Sequence, residues 1–120
     1  MVLLCVECSD TDKDAIYLVN KILNLRIFDD KNGKLNKSVV EVGGEMMVVS
    51  QFTLCADTSR GRRPSFAGAA EPGMAEGLYR KFMDEVAGKG ISVSGGVFGA
   101  RMEVELVNHG PVTLVLESSR

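Results

Sequence analysis

The side chains able to do chemistry are few and widely spaced. The chain has one histidine, His109, inside the turn-forming stretch Asn108-His109-Gly110-Pro111. A serine hydrolase needs a nucleophile, a base and an orienting acid. Ser50 sits in Val49-Ser50-Gln51-Phe52, which is not the G-x-S-x-G elbow that exposes such a nucleophile. A Cys55–His109 dyad can be drawn on paper, but a lone histidine is more often a surface or hydrogen-bonding residue. Thr53 has no neighbour in sequence that could deprotonate it. No H-E-x-x-H or four-ligand set can be assembled, so no metal and no cofactor is expected. No phosphate-cradling G-x-x-x-x-G-K is present, and Gly95-Gly96-Val97-Phe98-Gly99 precedes a strand-like run instead of a helix. Side-chain acid–base chemistry is therefore not the engine this sequence advertises. What remains is main chain: fixed N–H groups that stabilise an oxyanion and fixed C=O groups that hold an ammonium.

Three cysteines, Cys5, Cys8 and Cys55, make an odd count, which argues against a disulfide framework. Cys5 and Cys8 form a C-x-x-C, but it lacks the helix start of a redox pair and the second pair of a zinc site. On a strand their side chains would face opposite sides, so all three read as buried or incidental thiols. The formal net charge is −2 with a pI near 5.4, so bulk electrostatics do not draw the chain to nucleic acid. A local patch is the alternative, and Arg60, Arg62 and Arg63 supply one. The planar guanidinium fork suits phosphate, although a solvated loop has the same composition.

These residues need elements to position them. Val2 to Glu7 reads as a strand, and its apolar run suggests burial on both faces. Ser9-Asp10-Thr11-Asp12 offers N-caps for a helix that carries Ile16, Val19, Ile22 and Leu23 at helical spacing. Asn32-Gly33 and Gly43-Gly44 mark turns. Glu45 to Leu54 reads as a strong strand. The long polar loop from Ala56 to Ala70 is of a kind that usually carries function. Pro72 opens a second helix, with Leu78, Phe82 and Val86 on one face beside Tyr79 and Met83, and Gly88 and Gly90 close it. Two strands, Phe98 to Val107 and Val112 to Glu117, are expected to pair antiparallel across Asn108–Pro111. The whole is one α/β domain over 1–120, with a mixed, largely antiparallel sheet and two helices. So few strands leave an edge uncovered unless another chain covers it. No apolar run approaches the roughly 20 residues a membrane helix needs, and Met1 to Val6 lacks the flanks of a secretory signal. A cytoplasmic location without membrane association is the expectation.

Two segments resemble the signature motifs of D-aminoacyl-tRNA deacylases: Ser50-Gln51-Phe52-Thr53-Leu54, similar to S-Q-x-T-L, and Asn108-His109-Gly110-Pro111-Val112-Thr113, similar to N-x-G-P-V-T. Supporting blocks lie in order between and around them: Leu25 to Phe28, Ala56-Asp57-Thr58 with Gly61 and Arg63 to Phe66, Ala75-Glu76 with Leu78-Tyr79, and Gly96 with Phe98. The likeness implies the family's fold as a homodimer with barrel-like packing of sheets. The family's opening strand pair, before the segment matching Met1 to Val6, has no counterpart. The activity implied is hydrolysis of the ester of D-aminoacyl-tRNA, and of mischarged glycyl-tRNA, as chiral proofreading in translation. Gln51, Phe52 and Thr53 match the catalytic positions, with the terminal ribose hydroxyl assisting water. Ser50, Ala75, Phe98, Met102, Gly110 and Pro111 match substrate-binding positions. Among them, Phe98 lies against the 3′-terminal adenosine, and Gly110-Pro111 of one subunit reaches into the partner's site to reject L-amino acids. Arg60, Arg62 and Arg63 would meet tRNA phosphates. From the residues alone, a trans peptide in a simple hairpin turn is the reading of Gly110-Pro111, since only about 5–6% of X–Pro bonds are cis. Some eukaryotic relatives of the resembled family are linked to DNA replication, so an alternative is a nucleic-acid-binding, replication-linked or inactive shortened relative. The sister family that edits L-alanyl-tRNA fits Ser50-Gln51-Phe52 and Val112-Thr113 less well.

Overall fold

Local signals place both helices where the sequence puts them. The structure is a computed structural model that describes residues 1–118. Thr11 is the N-cap of α1 (Asp12–Asn24), and the Asp14 carboxylate accepts the Thr11 N–H at 2.8 Å and its hydroxyl at 3.0 Å. The inward stripe is Ala15, Val19 and Leu23; Ile16 is exposed, and Ile22 only flanks the core. Pro72 starts α2 (Pro72–Gly88), and the carboxylate of Glu71 caps it by accepting the Met74 N–H at 3.2 Å. Its inward face is Ala75, Tyr79, Phe82 and Val86; Phe82 and Val86 of the expected stripe are buried with Tyr79, and Leu78 is only half-buried.

The five strands are β1 (Val2–Leu4), β2 (Phe28–Asp29), β3 (Leu35–Lys37), β4 (Met46–Ser50) and β5 (Val93–Gly95). β1, β4 and β5 form one sheet with β4 central, and both pairings are parallel, Val2 opposite Val48 and Met46 opposite Val93. The largely antiparallel expectation is thus corrected for the main sheet. Each pair of neighbours is joined through a helix, which returns the chain to the same edge and forces parallel pairing. Antiparallel pairing occurs in the β2–β3 hairpin. Its turn is the Asn32-Gly33 site, where the Asp30 carboxylate collects the N–H groups of Asn32 and Lys34 at 2.8 and 3.0 Å.

Both helices cover one face of this sheet. Val48, at 0% exposure, meets Phe82, Val86, Val19, Leu23 and Leu4 in a single core. The opposite face is open in places: Leu3 and Met47 are 47% and 45% exposed. The sequence expectation that β1 is buried on both faces is therefore wrong, because helices pack on one side alone.

Two more expectations change. β4 ends at Ser50, and the chain then closes into a 3-10 turn, Phe52–Cys55, so Thr53 is not a strand residue. Residues 98–99 form a turn, and the stretches 100–107 and 112–117 adopt no helix and join no ladder among the described residues. A ladder needs a partner strand at the right distance, and none pairs with them among the described residues. This arm stretches the molecule to 47 × 31 × 30 Å, with a radius of gyration of 15.2 Å. A compact chain of this length would have about 13.6 Å.

Candidate active site

Parallel pairing brings the carboxyl ends of β1, β4 and β5 to one edge of the sheet, where open α/β sheets place their ligands. The sequences that leave this edge are Cys5-Val6, Gln51 to Cys55 and Gly96 to Phe98. The Gln51 N–H donates to Leu4 O at 2.8 Å, which ties the turn to the end of β1. Leu54 N–H donates to Gln51 O, and Ala56 N–H to Thr53 O, both at 3.2 Å. The N–H groups of Phe52 and Thr53 open the turn, where a helical turn has no internal acceptor to offer. The Gln51 side-chain amide donates to the Thr53 hydroxyl, so that hydroxyl is already engaged as an acceptor. No carboxylate or imidazole is hydrogen-bonded to it among the described residues.

Phe98 is half-buried, with its ring 6.0 Å from that of Tyr79. The Tyr79 hydroxyl donates to Val48 O at 2.8 Å beneath the same edge. A Cβ on Gly95 would collide with the Tyr79 hydroxyl and sit 2.9 Å from Met83 Sδ, so the edge closes only around a glycine. Met102 folds back over Gly96, with Sδ 3.4 Å from the Val97 nitrogen. Ala75 lies on the first inward turn of α2, and the chain reaches that helix through Ala70 N–H donating to Val6 O at 2.9 Å, at the same edge.

The arginine loop leaves from this edge as well. Asp57 and Ser65 exchange backbone hydrogen bonds at 2.8 and 2.9 Å and close it, while Gly61 takes a φ of 64° at its tip. The Asp57 carboxyl is held below its ordinary range by Ser59, through its side chain first and then its backbone N–H. Arg60, Arg62 and Arg63 are all exposed. Phe66, just past the loop, meets Phe52 edge-on at 5.1 Å.

Ser50, Gln51, Phe52, Thr53, Ala75, Phe98 and Met102 therefore gather at one edge. Gly110 and Pro111 do not join them within the chain. Their peptide bond is cis, against the trans reading of the residues alone, and the turn is exposed on the arm. Asn108 Nδ2 donates to Thr113 Oγ1 at 3.1 Å across it. His109 is exposed on the same arm, so the Cys55–His109 dyad does not form. Cys55 is instead disulfide-bonded to Cys5, with Cα atoms 6.3 Å apart, while Cys8 is free and exposed. This corrects the reading of three incidental thiols: the pair is 50 residues apart in sequence and meets through the β1–β4 pairing. Sequence reasoning also gave no role to Tyr79 or Phe66. The one signal for Phe66 is that it is the sole aromatic residue in the polar loop.

Among the described residues no cluster of His, Cys, Asp or Glu could hold a metal ion, and no helix is long and apolar enough to cross a membrane. The edge of the parallel strands presents backbone donors, with an aromatic pair and a basic loop beside it, in an α/β protein. The family model described as D-Tyr-tRNA(Tyr) deacylase matches residues 1–117, and the chain belongs to that family of hydrolases. The chain is 58% identical to the D-aminoacyl-tRNA deacylase of Desulfatibacillum aliphaticivorans, over 98% of this chain and 81% of that one. It is 54% identical to a Bacillus subtilis (strain 168) protein named an inactive D-aminoacyl-tRNA deacylase, over 98% of this chain and 89% of that one. A solved structure titled c-Myc DNA unwinding element binding protein superposes with a TM-score of 0.84 at 40% identity, over 92% of this chain and 75% of the other. A second, a probable eukaryotic D-amino acid tRNA deacylase, has a TM-score of 0.73 at 19% identity, over 90% and 77%, and shares the fold.

Proposed function

We propose that this chain hydrolyses the ester bond of D-aminoacyl-tRNA, and of mischarged glycyl-tRNA, releasing the amino acid as chiral proofreading in the cytosol. One observation carries the reading. The Gln51–Thr53 turn offers two backbone N–H groups at a ligand edge, next to a threonine whose hydroxyl has no base. Donors of this kind stabilise the oxyanion of an attacked ester, and removing one from a hydrolase typically costs about 10²–10³ in kcat. Water is the nucleophile, assisted by the substrate's terminal ribose hydroxyl. The 3′-terminal adenine stacks at Phe98, while Ser50, Ala75 and Met102 line the pocket. Arg60, Arg62 and Arg63 take phosphates.

Chirality is sensed by exclusion. Gly110-Pro111 belongs, on this reading, to the partner's site in a homodimer, where its main chain blocks an L side chain. Support comes from the arm, which carries the turn away from its own edge and exposes Val104, Leu106, Leu114 and Val115 for a second copy to cover. β1 is also an edge strand, the place where the family's opening strand pair would add. The Bacillus subtilis relative is named inactive, so membership alone does not decide turnover. Deacylation of D-tyrosyl- and L-tyrosyl-tRNA does: the D ester is consumed and the L ester persists. Equal rates, or no turnover by a folded dimer, overturn the reading.

The c-Myc DNA unwinding element binding protein title favours a second reading, a nucleic-acid-binding relative without turnover. The net charge of −2 opposes it. Salt-dependent binding to duplex DNA, with charged tRNA left intact, would select it.

A further inference from the structure

Cys5 and Cys55 stand where the chain could use them. Cys5 follows the last residue of β1, and Cys55 is the last residue of the turn that bears Phe52 and Thr53. Both are half-buried, so a small thiol or disulfide can reach them without unfolding the domain. Their Cα separation of 6.3 Å lies within the span a disulfide bridges without backbone movement. Cys5 Sγ is also 3.4 Å from Phe52 O, so the pair touches the turn itself. Without the covalent link, the turn is joined to β1 by the Gln51 N–H bond to Leu4 O. In a reducing compartment a disulfide of this type is transient and redox-sensing, not structural.

We infer that Cys5 and Cys55 form a reversible dithiol–disulfide site, oxidised by low-molecular-weight disulfides, that tethers the Gln51–Cys55 turn to the end of β1. The Cys5 thiolate attacks the small disulfide, forms a mixed disulfide and expels one thiol. The Cys55 thiolate then attacks the Cys5 sulfur, closes the internal bond and expels the second thiol. Two protein thiols are oxidised, and one small disulfide is reduced to two thiols. Dithiothreitol reverses the sequence. Cys8, free and exposed, is the internal control.

The importance of the tether for catalysis rests on the deacylase reading, whereas its existence does not, so the test avoids turnover. The full chain is equilibrated with oxidised and reduced glutathione at a series of ratios, alkylated, and mapped by peptide mass spectrometry. A Cys5–Cys55 cross-link that appears with oxidation and vanishes with dithiothreitol, with Cys8 alkylated throughout, is expected. Cys8→Ser retains the cross-link, and Cys55→Ser abolishes it. A Cys5–Cys8 link, glutathione adducts without closure, or three alkylated thiols at every ratio overturns the site. Amide exchange on wild-type protein then tests the tether, so it survives a variant that fails to fold. Amides of residues 51–56 exchange severalfold more slowly in the oxidised form, and equal rates in the two forms overturn the tether. An inactive but folded protein leaves both results standing, which separates this inference from the deacylase reading.

Discussion

Two regions of this chain carry similar hydrophobic patterns and meet opposite fates. In the sheet-and-helix core, Val48, Val86, Phe82 and Val19 are at most 1% exposed. In the arm, Val107 and Val115 are 94% and 89% exposed, although Met102, Val104 and Leu106 alternate as cleanly as a strand should. The core helices find their partners within the chain, by way of crossovers between parallel strands. Among the described residues, the arm pairs with no strand. An apolar pattern thus marks a segment suited to burial, and it does not record whether a partner lies in the same chain; on the homodimer reading proposed above, a second copy supplies it.

The comparison breaks if the two regions respond alike to substitution. The largest effect is expected in the core. Phe82→Ala opens a cavity and lowers unfolding free energy by about 3–5 kcal/mol, measured by denaturant titration. In the arm, Leu106→Glu is expected to change local stability by under about 0.5 kcal/mol, as at exposed sites generally. On the homodimer reading its expected signature is different: the unfolding midpoint of the wild type should rise with protein concentration, and the variant should lose that dependence. A Leu106→Glu protein as destabilised as Phe82→Ala at every concentration would erase the distinction.

Between the regions, Tyr79→Phe removes a buried hydrogen bond to Val48 O and is expected to cost about 1 kcal/mol. It should also loosen the shelf beneath Phe98, read as a rise in KM larger than the fall in kcat.

A pH-dependent effect lies at α1, where Ser118 meets Asp14. The Asp14 carboxyl is held below its ordinary value of 3.8 by the Thr11 backbone N–H, then by the Ser118 side chain and the Thr11 hydroxyl. A lowered folded-state pKa stabilises the fold above the unfolded value, and that contribution disappears as pH falls through the folded one. Asp14→Asn should therefore lower the thermal midpoint at neutral pH, and the gap to wild type should close below about pH 4. A gap that stays constant with pH would mean that the charge contributes nothing.

Much of the candidate site rests on short motifs, which a linear reading can compare with a known family before any fold is known. Ser50 to Thr53 and Phe98 were singled out by the family resemblance, and the structure places them at one edge of the sheet, whereas Gly110-Pro111, singled out in the same way, lies on the arm. The Asn32-Gly33 turn and the Thr11 and Pro72 helix starts are likewise fixed by neighbours a few residues away. Tyr79 and Phe66 were not legible as site residues. Their roles depend on Val48 O, Phe98 and Phe52, which lie 31, 19 and 14 positions away.

By itself, then, the sequence determined where the helices begin and which of their residues repeat at helical spacing. Capping, helical periodicity and residue inventory are short-range properties, so a linear reading captures them. Only the tertiary structure decided that β1, β4 and β5 run parallel, that β4 stops at Ser50 and turns, and that Cys55 bonds to Cys5 across 50 residues. It also decided that Gly110-Pro111 is cis on an exposed arm. The strand pairing and the Cys5–Cys55 bond depend on which distant segments share space, and no window along the chain contains both partners.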